Sequence, residues 1–124
     1  MTAFKVSEAA QLLGVSDDTI RRWGDAGRLT LNGSPQTIDG VELATLAQEL
    51  AAEPTESHSS ARNRFTGLVT RVVKDGVMAQ VEIQAGPFRV VSLISREAAD
   101  ELSLEPGVLA TASVKSTNVV VEVP

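Results

Sequence analysis

The chain has 124 residues, of which 43% are hydrophobic, with no cysteine and a formal net charge of −5 at pH 7. This composition is typical of a globular protein, and the lack of cysteine excludes a disulfide framework and a thiolate metal site. No apolar run is long enough to span a membrane, and the first five residues lack a signal region. We therefore expect a cytoplasmic protein without a membrane partner.

The negative charge is concentrated in the first part of the chain. Residues 1–52 carry four basic and seven acidic side chains, whereas residues 58–124 carry seven of each. Indiscriminate binding of nucleic acid needs a broad basic surface, which this chain lacks. Any contact with double-stranded DNA must therefore be local to a few basic side chains.

The first 52 residues are predicted to be mainly helical. Apolar residues at helical spacing predict a first helix that is capped by Ser7 and ended by Gly14. Ser16 is predicted to cap a second helix, whose first turn holds two aspartates. An Asn-Gly-Ser-Pro turn signal follows, and a third helix is predicted over 41–52.

Residues 6–29 resemble the helix-turn-helix of the MerR and excisionase group. They read Val-Ser-Glu-Ala-Ala, then Leu-Leu-Gly-Val-Ser, then Thr-Ile-Arg-Arg-Trp, and end in Gly-Arg-Leu. The resemblance implies a winged DNA-binding domain over 1–52 whose second helix enters the major groove. Arginine in such a helix pairs with guanine or phosphate through two hydrogen bonds. The residues that the resemblance assigns to DNA are Ser16, Thr19, Arg21, Arg22 and Arg28.

The segment expected to form the wing departs from this pattern. Residues 32–37 read Asn-Gly-Ser-Pro-Gln-Thr and carry no positive charge. Few phosphate contacts per subunit predict a low DNA affinity with a shallow salt dependence. The alternative is a helix-turn-helix that mediates protein assembly instead of DNA binding.

Residues 53–59 are predicted to be a linker because they are polar, contain a proline and show no periodicity. From residue 60 onward, apolar and polar residues alternate as in strands. Strands are predicted over 65–73, 77–84, 88–94, 108–114 and 119–123, with a short helix capped by Ser95 over 96–102. This order predicts a five-stranded β-barrel of the oligonucleotide-binding type. The whole chain is then an α+β protein of two small domains.

A second resemblance runs from about residue 59 to residue 123. The opening Ser60-Ala61-Arg62-Asn63 and the late Val-Lys-Ser step are similar to the Mop (molybdopterin-binding-protein) family, also called the TOBE domain. The resemblance implies an oxyanion-binding domain over 60–124 that holds molybdate or tungstate between the subunits of a dimer or higher oligomer. The residues implied are Ser60, Ala61, Arg62, Ser95, Lys115 and Ser116. Threonine is commoner in that family at the position of Ser95.

These residue types suit a tetrahedral dianion whose oxygens only accept hydrogen bonds. Arginine and lysine supply charge, and hydroxyl groups supply further donors. Phosphate is partly protonated at pH 7 and needs an acceptor, so a site of donors alone discriminates against it. The alternative is that Arg62 and Lys115 are ordinary solvated charges at strand ends.

Catalysis and metal binding are not expected. The sequence offers no nucleophile–base pair and no close carboxylate pair, so we assign no catalytic residues and predict that the chain is not an enzyme. His58, the only histidine, predicts no metal site in a chain without cysteine.

Three functions remain in order of preference. The first is a transcriptional regulator that senses molybdate or tungstate and binds DNA. The second is an oligomeric store or buffer of the oxyanion whose helix-turn-helix serves assembly. The third is a single-strand nucleic-acid binder, which is disfavoured because aromatic residues are few and a basic groove is missing.

Overall fold

The computed structural model describes residues 2–51 and 58–124. The chain divides into two compact units, Met1–Glu56 and Ser57–Pro124, and each has its own apolar core. Most of the predicted linker, residues 53–57, lies outside the described residues. None of the helices within the described ranges is long and apolar enough to cross a membrane.

The first unit combines three helices with a two-stranded antiparallel sheet. Its elements are β1 (Ala3–Lys5), α1 (Val6–Leu13), α2 (Asp17–Asp25), β2 (Thr37–Asp39) and α3 (Gly40–Leu50). Phe4 of β1 lies opposite Ile38 of β2. Ile20 of α2 and Ile38 are fully buried and lie in one core with residues from all three helices. The small sheet was not predicted, because its strands have only three residues each.

Local signals set the boundaries of α1 and α2. Gly14 has a left-handed φ of 69° and ends α1, as predicted. Ser16 Oγ accepts a hydrogen bond from the Thr19 backbone N–H at 3.1 Å and caps α2, also as predicted. The prediction of Ser7 as the first cap is wrong. Because β1 runs directly into α1, the cap position falls at Lys5, whose backbone N–H donates to the Glu8 carboxylate at 2.9 Å.

The second unit is a curled antiparallel sheet with one short helix. Its elements are β3 (Asn63–Lys74), β4 (Met78–Ala85), β5 (Phe88–Ser95), α4 (Arg96–Glu101), β6 (Leu109–Val114) and a 3-10 turn (Ser116–Asn118). The strand order in the sheet is β5-β4-β3-β6. The four strands and α4 each overlap a predicted element, since period-two alternation and turn residues mark them in the sequence.

β3 is the longest strand, and it changes partners along its length. Residues 63–68 pair with β6, and residues 68–74 pair with β4. Gly67 lies at this change, where a Cβ atom would meet a carbonyl oxygen of β4 at 2.1 Å. A β-bulge between Val69 and Arg71 follows at once, and a bulge bends a strand and increases its twist. The sheet therefore curls around its small core.

The fifth predicted strand, residues 119–123, is not a strand in this chain. These residues form no regular element, and Val120 is 82% exposed and Val123 91% exposed. The prediction of a five-stranded barrel is thus corrected to a curled sheet of four strands. The alternating pattern marks a segment that favours a strand, but a strand also needs a free edge beside it. After the 3-10 turn, no edge of the described chain pairs with this segment.

Candidate functional site

The pairing of β3 with β6 brings both ends of the second unit's sequence together. Asn63 lies opposite Val114, so the next residues outward, Arg62 and Lys115, are neighbours. The Asn63 side-chain amide donates to the Val114 carbonyl oxygen at 3.1 Å. This contact fixes the register where β3 begins, and it gives the asparagine of the opening motif a structural role.

The loop before β3 holds Arg62 at the edge of the sheet. Ala61 is buried, and its backbone N–H donates to Ser59 Oγ at 3.1 Å. Arg62 Nη1 donates to the Ser59 carbonyl oxygen at 3.4 Å. Ser60 and Arg62 are exposed on either side of this buried alanine. Ala61 therefore anchors the loop, while its two neighbours present polar groups to solvent.

Arg62 and Lys115 are two adjacent positive charges at the edge of the sheet. Neither forms an ion pair with any residue that the structure describes. Ser116, next to Lys115, starts the 3-10 turn and is exposed. Like charges opposite one another in a sheet are destabilising. An anion between them relieves that repulsion, and guanidinium and ammonium groups can only donate hydrogen bonds to it.

A row of donor groups continues from this pair along the outer face of the sheet. Arg64 and Thr66 of β3 are exposed, as are their partners in β6, Ser113 and Thr111. Arg64 Nη1 donates to Ser113 Oγ at 3.2 Å, and the hydroxyl oxygens of Thr66 and Thr111 are 2.9 Å apart. We call the six residues of this row the donor ladder: Arg62, Arg64, Thr66, Thr111, Ser113 and Lys115. It contains three cations, three hydroxyl groups and no carboxylate.

The sequence motif identifies only the outermost pair of the donor ladder. The family motif contains Arg62 and Lys115 but does not single out Arg64 or Ser113. Strand alternation is the signal that could have identified Arg64 and Ser113, because residues two apart in a strand share a face of the sheet. Which residue of β6 lies opposite Arg64 depends on the register, and the register is not encoded locally.

Ser95 lies at the other end of the sheet. It is opposite Met78, beyond the last residue of β3 that pairs with β4. The whole 12-residue length of β3 thus separates the register positions of Ser95 and Arg62. Ser95 Oγ accepts a hydrogen bond from the Ala98 backbone N–H at 3.0 Å and keeps its own proton for donation. Of the predicted oxyanion ligands, Ser60, Arg62, Lys115 and Ser116 share one end, and Ser95 is apart from them.

An open cleft of about 520 Å³ adjoins Ser95. Its lining consists of Gly76, Val77, Ser95, Arg96, Glu97, Asp100 and Glu101. No member of the donor ladder lines this cleft. Arg96 is held there by its Nη1 contact to the Asp75 carbonyl oxygen at 3.1 Å. Its Nε also lies 3.8 Å from the Asp100 carboxylate.

Two carboxyl groups near the cleft have lowered pKa values. Backbone N–H groups of Met78 and Val77 donate to Asp75 and hold the pKa of its carboxyl below the ordinary value of 3.8. Lys74 Nζ donates to Asp100 at 2.6 Å and lowers the pKa of that carboxyl in the same way. These contacts fasten the β3–β4 turn and α4 to the sheet.

The buried carboxylate of the sheet is already paired. Glu82 of β4 is 7% exposed and forms an ion pair with Arg89 of the neighbouring β5. Over residues 2–51 and 58–124, acidic, histidine and cysteine side chains form no group of three that could hold a metal ion.

Three of the residues predicted to contact DNA form one hydrogen-bonded cluster on α2. The hydroxyl oxygens of Ser16 and Thr19 are 2.9 Å apart, and Arg22 Nη2 donates to Thr19 Oγ1 at 3.1 Å. Arg22 is exposed. The cluster brings a guanidinium and two hydroxyls together near the start of the second helix.

The other two predicted DNA contacts have partners of their own. Arg21 Nη1 lies 3.5 Å from the Asp18 carboxylate, and both side chains are largely exposed. The Arg28 guanidinium stacks over the Trp23 ring at 5.3 Å from its centroid. Both arginines are therefore engaged within the first unit.

Known proteins match mainly the second unit. Residues 59–121 match the TOBE domain. Molybdenum-pterin-binding protein 2 of Clostridium pasteurianum is 40% identical over 63 residues, which cover 50% of this chain and 93% of that protein. Molybdenum-pterin-binding protein MopA of Rhodobacter capsulatus is 33% identical over 90 residues, which cover 68% of this chain. The chain spans only 34% of the length of MopA.

A solved structure supports the same correspondence. The cytoplasmic molybdate-binding protein ModG, crystallised with molybdate bound, aligns with a TM-score of 0.53 and 36% identity. The alignment covers 55% of this chain and 49% of ModG. The similarity therefore concerns the curled sheet and its helix.

Proposed function

The chain belongs to the TOBE domain family through residues 59–121, and on that basis we propose that it binds molybdate or tungstate at Arg62 and Lys115. The observation that carries this proposal is the β3–β6 register, in which these two cations are neighbours and have no counter-ion among the described residues. Ser60 and Ser116 add hydroxyl donors. The buried Ala61 contributes by anchoring the loop. The presence of molybdate in ModG supports the choice of ligand.

The donor chemistry selects among oxyanions. Molybdate and tungstate are dianions at pH 7 that only accept hydrogen bonds, and the proposed ligands all donate. Phosphate retains a proton for part of the time at this pH, and the proposed ligand set offers it no carboxylate acceptor. Sulfate has the right charge but is smaller, so fewer donors reach it at once.

The site is completed by a second copy of the chain. Ser95, the remaining predicted ligand, is separated from Arg62 by the length of β3, so one copy does not supply both. Self-association is further supported by the exposed valines of residues 119–123, a strand-prone segment that pairs with no strand among the described residues. Burial of such apolar surface stabilises an assembly.

Calorimetric titration tests the proposed ligand. We expect molybdate and tungstate to bind tightly, and sulfate and phosphate much more weakly. Arg62→Ala removes hydrogen bonds to a charged group, each worth roughly 1.5–3 kcal/mol, and we expect roughly a tenfold to hundredfold loss of affinity. Arg71→Ala, an exposed arginine near the other end of β3, is the matched control. Normal binding by Arg62→Ala, or equal affinity for phosphate, would contradict the proposal.

These properties support the role of a cytoplasmic oxyanion store or buffer that works as an oligomer. The first unit then serves assembly. Its described residues contain four cations, of which Arg21 and Arg28 already have partners within the unit. The seven acidic side chains of the same unit add repulsion toward any polyanion.

A regulator that senses molybdate or tungstate and binds DNA is the second candidate. The observation that favours it is the hydrogen-bonded cluster of Ser16, Thr19 and Arg22 on α2, whose cap residue Ser16 lies three residues after the end of α1. Helices in this order resemble a helix-turn-helix, in which such side chains reach bases or phosphates. Mobility shifts on fragments from upstream of its own gene, compared for wild type and Arg22→Ala, test this role. Identical shifts, or none, would favour the store.

A further inference from the structure

Residues 119–123 have the pattern of a strand and pair with no strand among the described residues. Val119, where the segment begins, already has extended backbone angles, with φ −90° and ψ 122°. Residues two apart in a strand share a face, so Val119, Val121 and Val123 form one apolar face. All three are exposed. The segment therefore offers both an extended backbone and an apolar face to another strand.

β5 is an edge strand that can receive such a segment. It has β4 on one side and, in the part of the chain that the structure describes, no strand on the other. Its inward residues Val90 and Ile94 pack against the core but are only partly buried. A free edge presents a row of backbone donors and acceptors with which another chain can pair. With eight residues, β5 is long enough to pair with the whole segment.

We propose that residues 119–123 of one copy add to the free edge of β5 of a second copy, antiparallel to it. The inference rests on the proposed function, which brings Ser95 of one copy to Lys115 and Ser116 of another. Ser95 is the last residue of β5, and Lys115 and Ser116 lie just before the segment. An antiparallel pairing places the start of the segment beside Ser95. A parallel pairing would place it beside Phe88, at the other end of β5.

The geometry of one copy requires that the segment come from another copy. Within a single chain, Lys115 and Ser95 have register positions at opposite ends of β3, a strand of 12 residues. A strand of that length spans roughly 40 Å. The four residues from Lys115 to Val119 span about 14 Å at most. The segment therefore does not reach the Ser95 end of the β5 in its own chain.

The apolar faces of the two strands set the register. Residues directly opposite each other in a pair of strands share a face of the sheet. Placing Val119 opposite Ile94 and Val123 opposite Val90 covers both partly buried residues of β5 with valine. Between them, Val120 lies opposite the exposed Leu93 on the outer face. In this register Asn118 lies opposite Ser95, so the turn that begins at Ser116 is its neighbour.

Cross-linking between two different chains tests the pairing, because the native chain has no cysteine. Full-length Val120→Cys is mixed with a tagged Leu93→Cys chain and oxidised with copper phenanthroline. Both positions are exposed. The register brings their Cα atoms about 4.5–5.5 Å apart, within the range that a disulfide spans. We expect a band of the mixed dimer in non-reducing electrophoresis that disappears on reduction.

Val120→Cys mixed with a tagged Phe88→Cys chain is the matched control. Phe88 is exposed to nearly the same extent as Leu93, 63% against 67%, but lies at the other end of β5. We expect little cross-linking to position 88. Equal or stronger cross-linking at position 88, or none at either position, would overturn the proposal. So would a chain carrying both Val120→Cys and Leu93→Cys that cross-links only within itself.

A proline in the segment tests the pairing without cysteine. Val121→Pro removes a backbone donor and fixes φ. Circular dichroism verifies that the variant is folded, since Val121 is exposed in the single chain. We expect self-association, measured by sedimentation equilibrium, to weaken about tenfold. Val121→Thr keeps a β-branched side chain and should retain most of it. Wild-type association by Val121→Pro would contradict the pairing.

Titration with sodium molybdate separates this inference from the proposed function. If position 120 cross-links to position 93 while wild type does not bind molybdate, the strand pairing stands and the oxyanion function fails. If wild type binds molybdate but no cross-link forms, the function stands and the pairing fails. If both hold, Val121→Pro lowers the affinity for molybdate together with self-association, and Val121→Thr preserves both.

Discussion

In the first unit, the arginines of α2 and the segment after it have partners that are close in sequence: Arg21 has Asp18, Arg22 has Thr19 and Arg28 has Trp23. In the second unit, the neighbour of Arg62 is another cation, Lys115, which is more than 50 residues away in the sequence. Both surfaces are exposed and basic at these points. They differ in the sequence range of the contacts, which is local in the first unit and long-range in the second.

The arginines of the first unit already contact side chains close to them in sequence. In the second unit, by contrast, an anion bound between the two cations would lower the repulsion between them. An i,i+3 ion pair such as Asp18–Arg21 forms as soon as the helix does and needs no ligand. The pair Arg62–Lys115 forms only when two strands distant in sequence meet, and neither cation has an ion-pair partner among residues 2–51 and 58–124.

Gly67→Ala is expected to have the largest effect, confined to the second unit. Its Cβ atom would lie 2.1 Å from a backbone oxygen of β4, so β3 and β4 must separate. We expect a loss of about 3 kcal/mol in unfolding free energy. Urea unfolding by circular dichroism measures it, while fluorescence of Trp23, the only tryptophan, reports the first unit alone. Gly76→Ala, with open space around it, is the control; equal losses in both variants would contradict the prediction.

Molybdate is expected to stabilise the second unit and not the first. At a free concentration 100 times Kd, a ligand of the folded state adds about 2.7 kcal/mol to the unfolding free energy. Lys115→Gln should lose most of this gain. Without ligand, the same variant should stay within about 0.5 kcal/mol of wild type, since only a solvated charge is removed. If molybdate instead raised the urea midpoint measured by Trp23 fluorescence, the ligand would bind the first unit, which would contradict the prediction.

Ser16 and Ser95 are matched caps in the two units. Each hydroxyl oxygen accepts a hydrogen bond from a backbone N–H three residues later, at 3.1 Å and 3.0 Å respectively. Replacement by alanine should destabilise either unit by about 1 kcal/mol. Only Ser95→Ala should also weaken molybdate binding, because its hydroxyl is a proposed ligand. Equal molybdate affinities of the two variants in calorimetry would remove Ser95 from the site.

Asp75→Asn is expected to have the smallest effect, and only in acid. The folded-state pKa of Asp75 lies below its ordinary value of 3.8, so its stabilisation is complete above that pH and is lost as the pH falls further. The unfolding free energy of wild type should therefore fall more steeply than that of the variant between pH 4 and the acid limit. Denaturant titrations at pH 7 and pH 3 compare them. If wild type and variant lose equal unfolding free energy between pH 7 and pH 3, the backbone N–H groups of Val77 and Met78 do not stabilise the Asp75 carboxylate.

The strands and helices of both units were largely predictable because their signals are local. Gly14 and Ser16 mark the end of α1 and the start of α2, and Ser95 marks the start of α4. β1 escaped prediction because three residues are too short to show a period. For residues 119–123 the error is the reverse: their alternating pattern predicts a strand, but they pair with no strand in the part of the chain that the structure describes.

The candidate site was predictable in part for the same reason. The opening motif and the Lys-Ser step identify Arg62 and Lys115 through family resemblance, without any knowledge of distance. Arg64 and Ser113 belong to no recognisable motif. They are found only from the register of β3 with β6, which places them opposite each other. The separation of Ser95 from Arg62 is likewise invisible in the sequence, because it depends on which strands are neighbours.

The two-part organisation, most element boundaries and the donor chemistry of the second unit can be predicted from the sequence, since turn residues, caps and alternation act over a few residues. Which charged groups lie near one another follows only from the folded chain. Local contacts in α2 neutralise or occupy its arginines, whereas the long-range pairing of β3 with β6 sets two cations side by side and leaves Ser95 at the far end. Charge balance depends on distances between atoms, and for residues distant in sequence those distances exist only after the strands have paired.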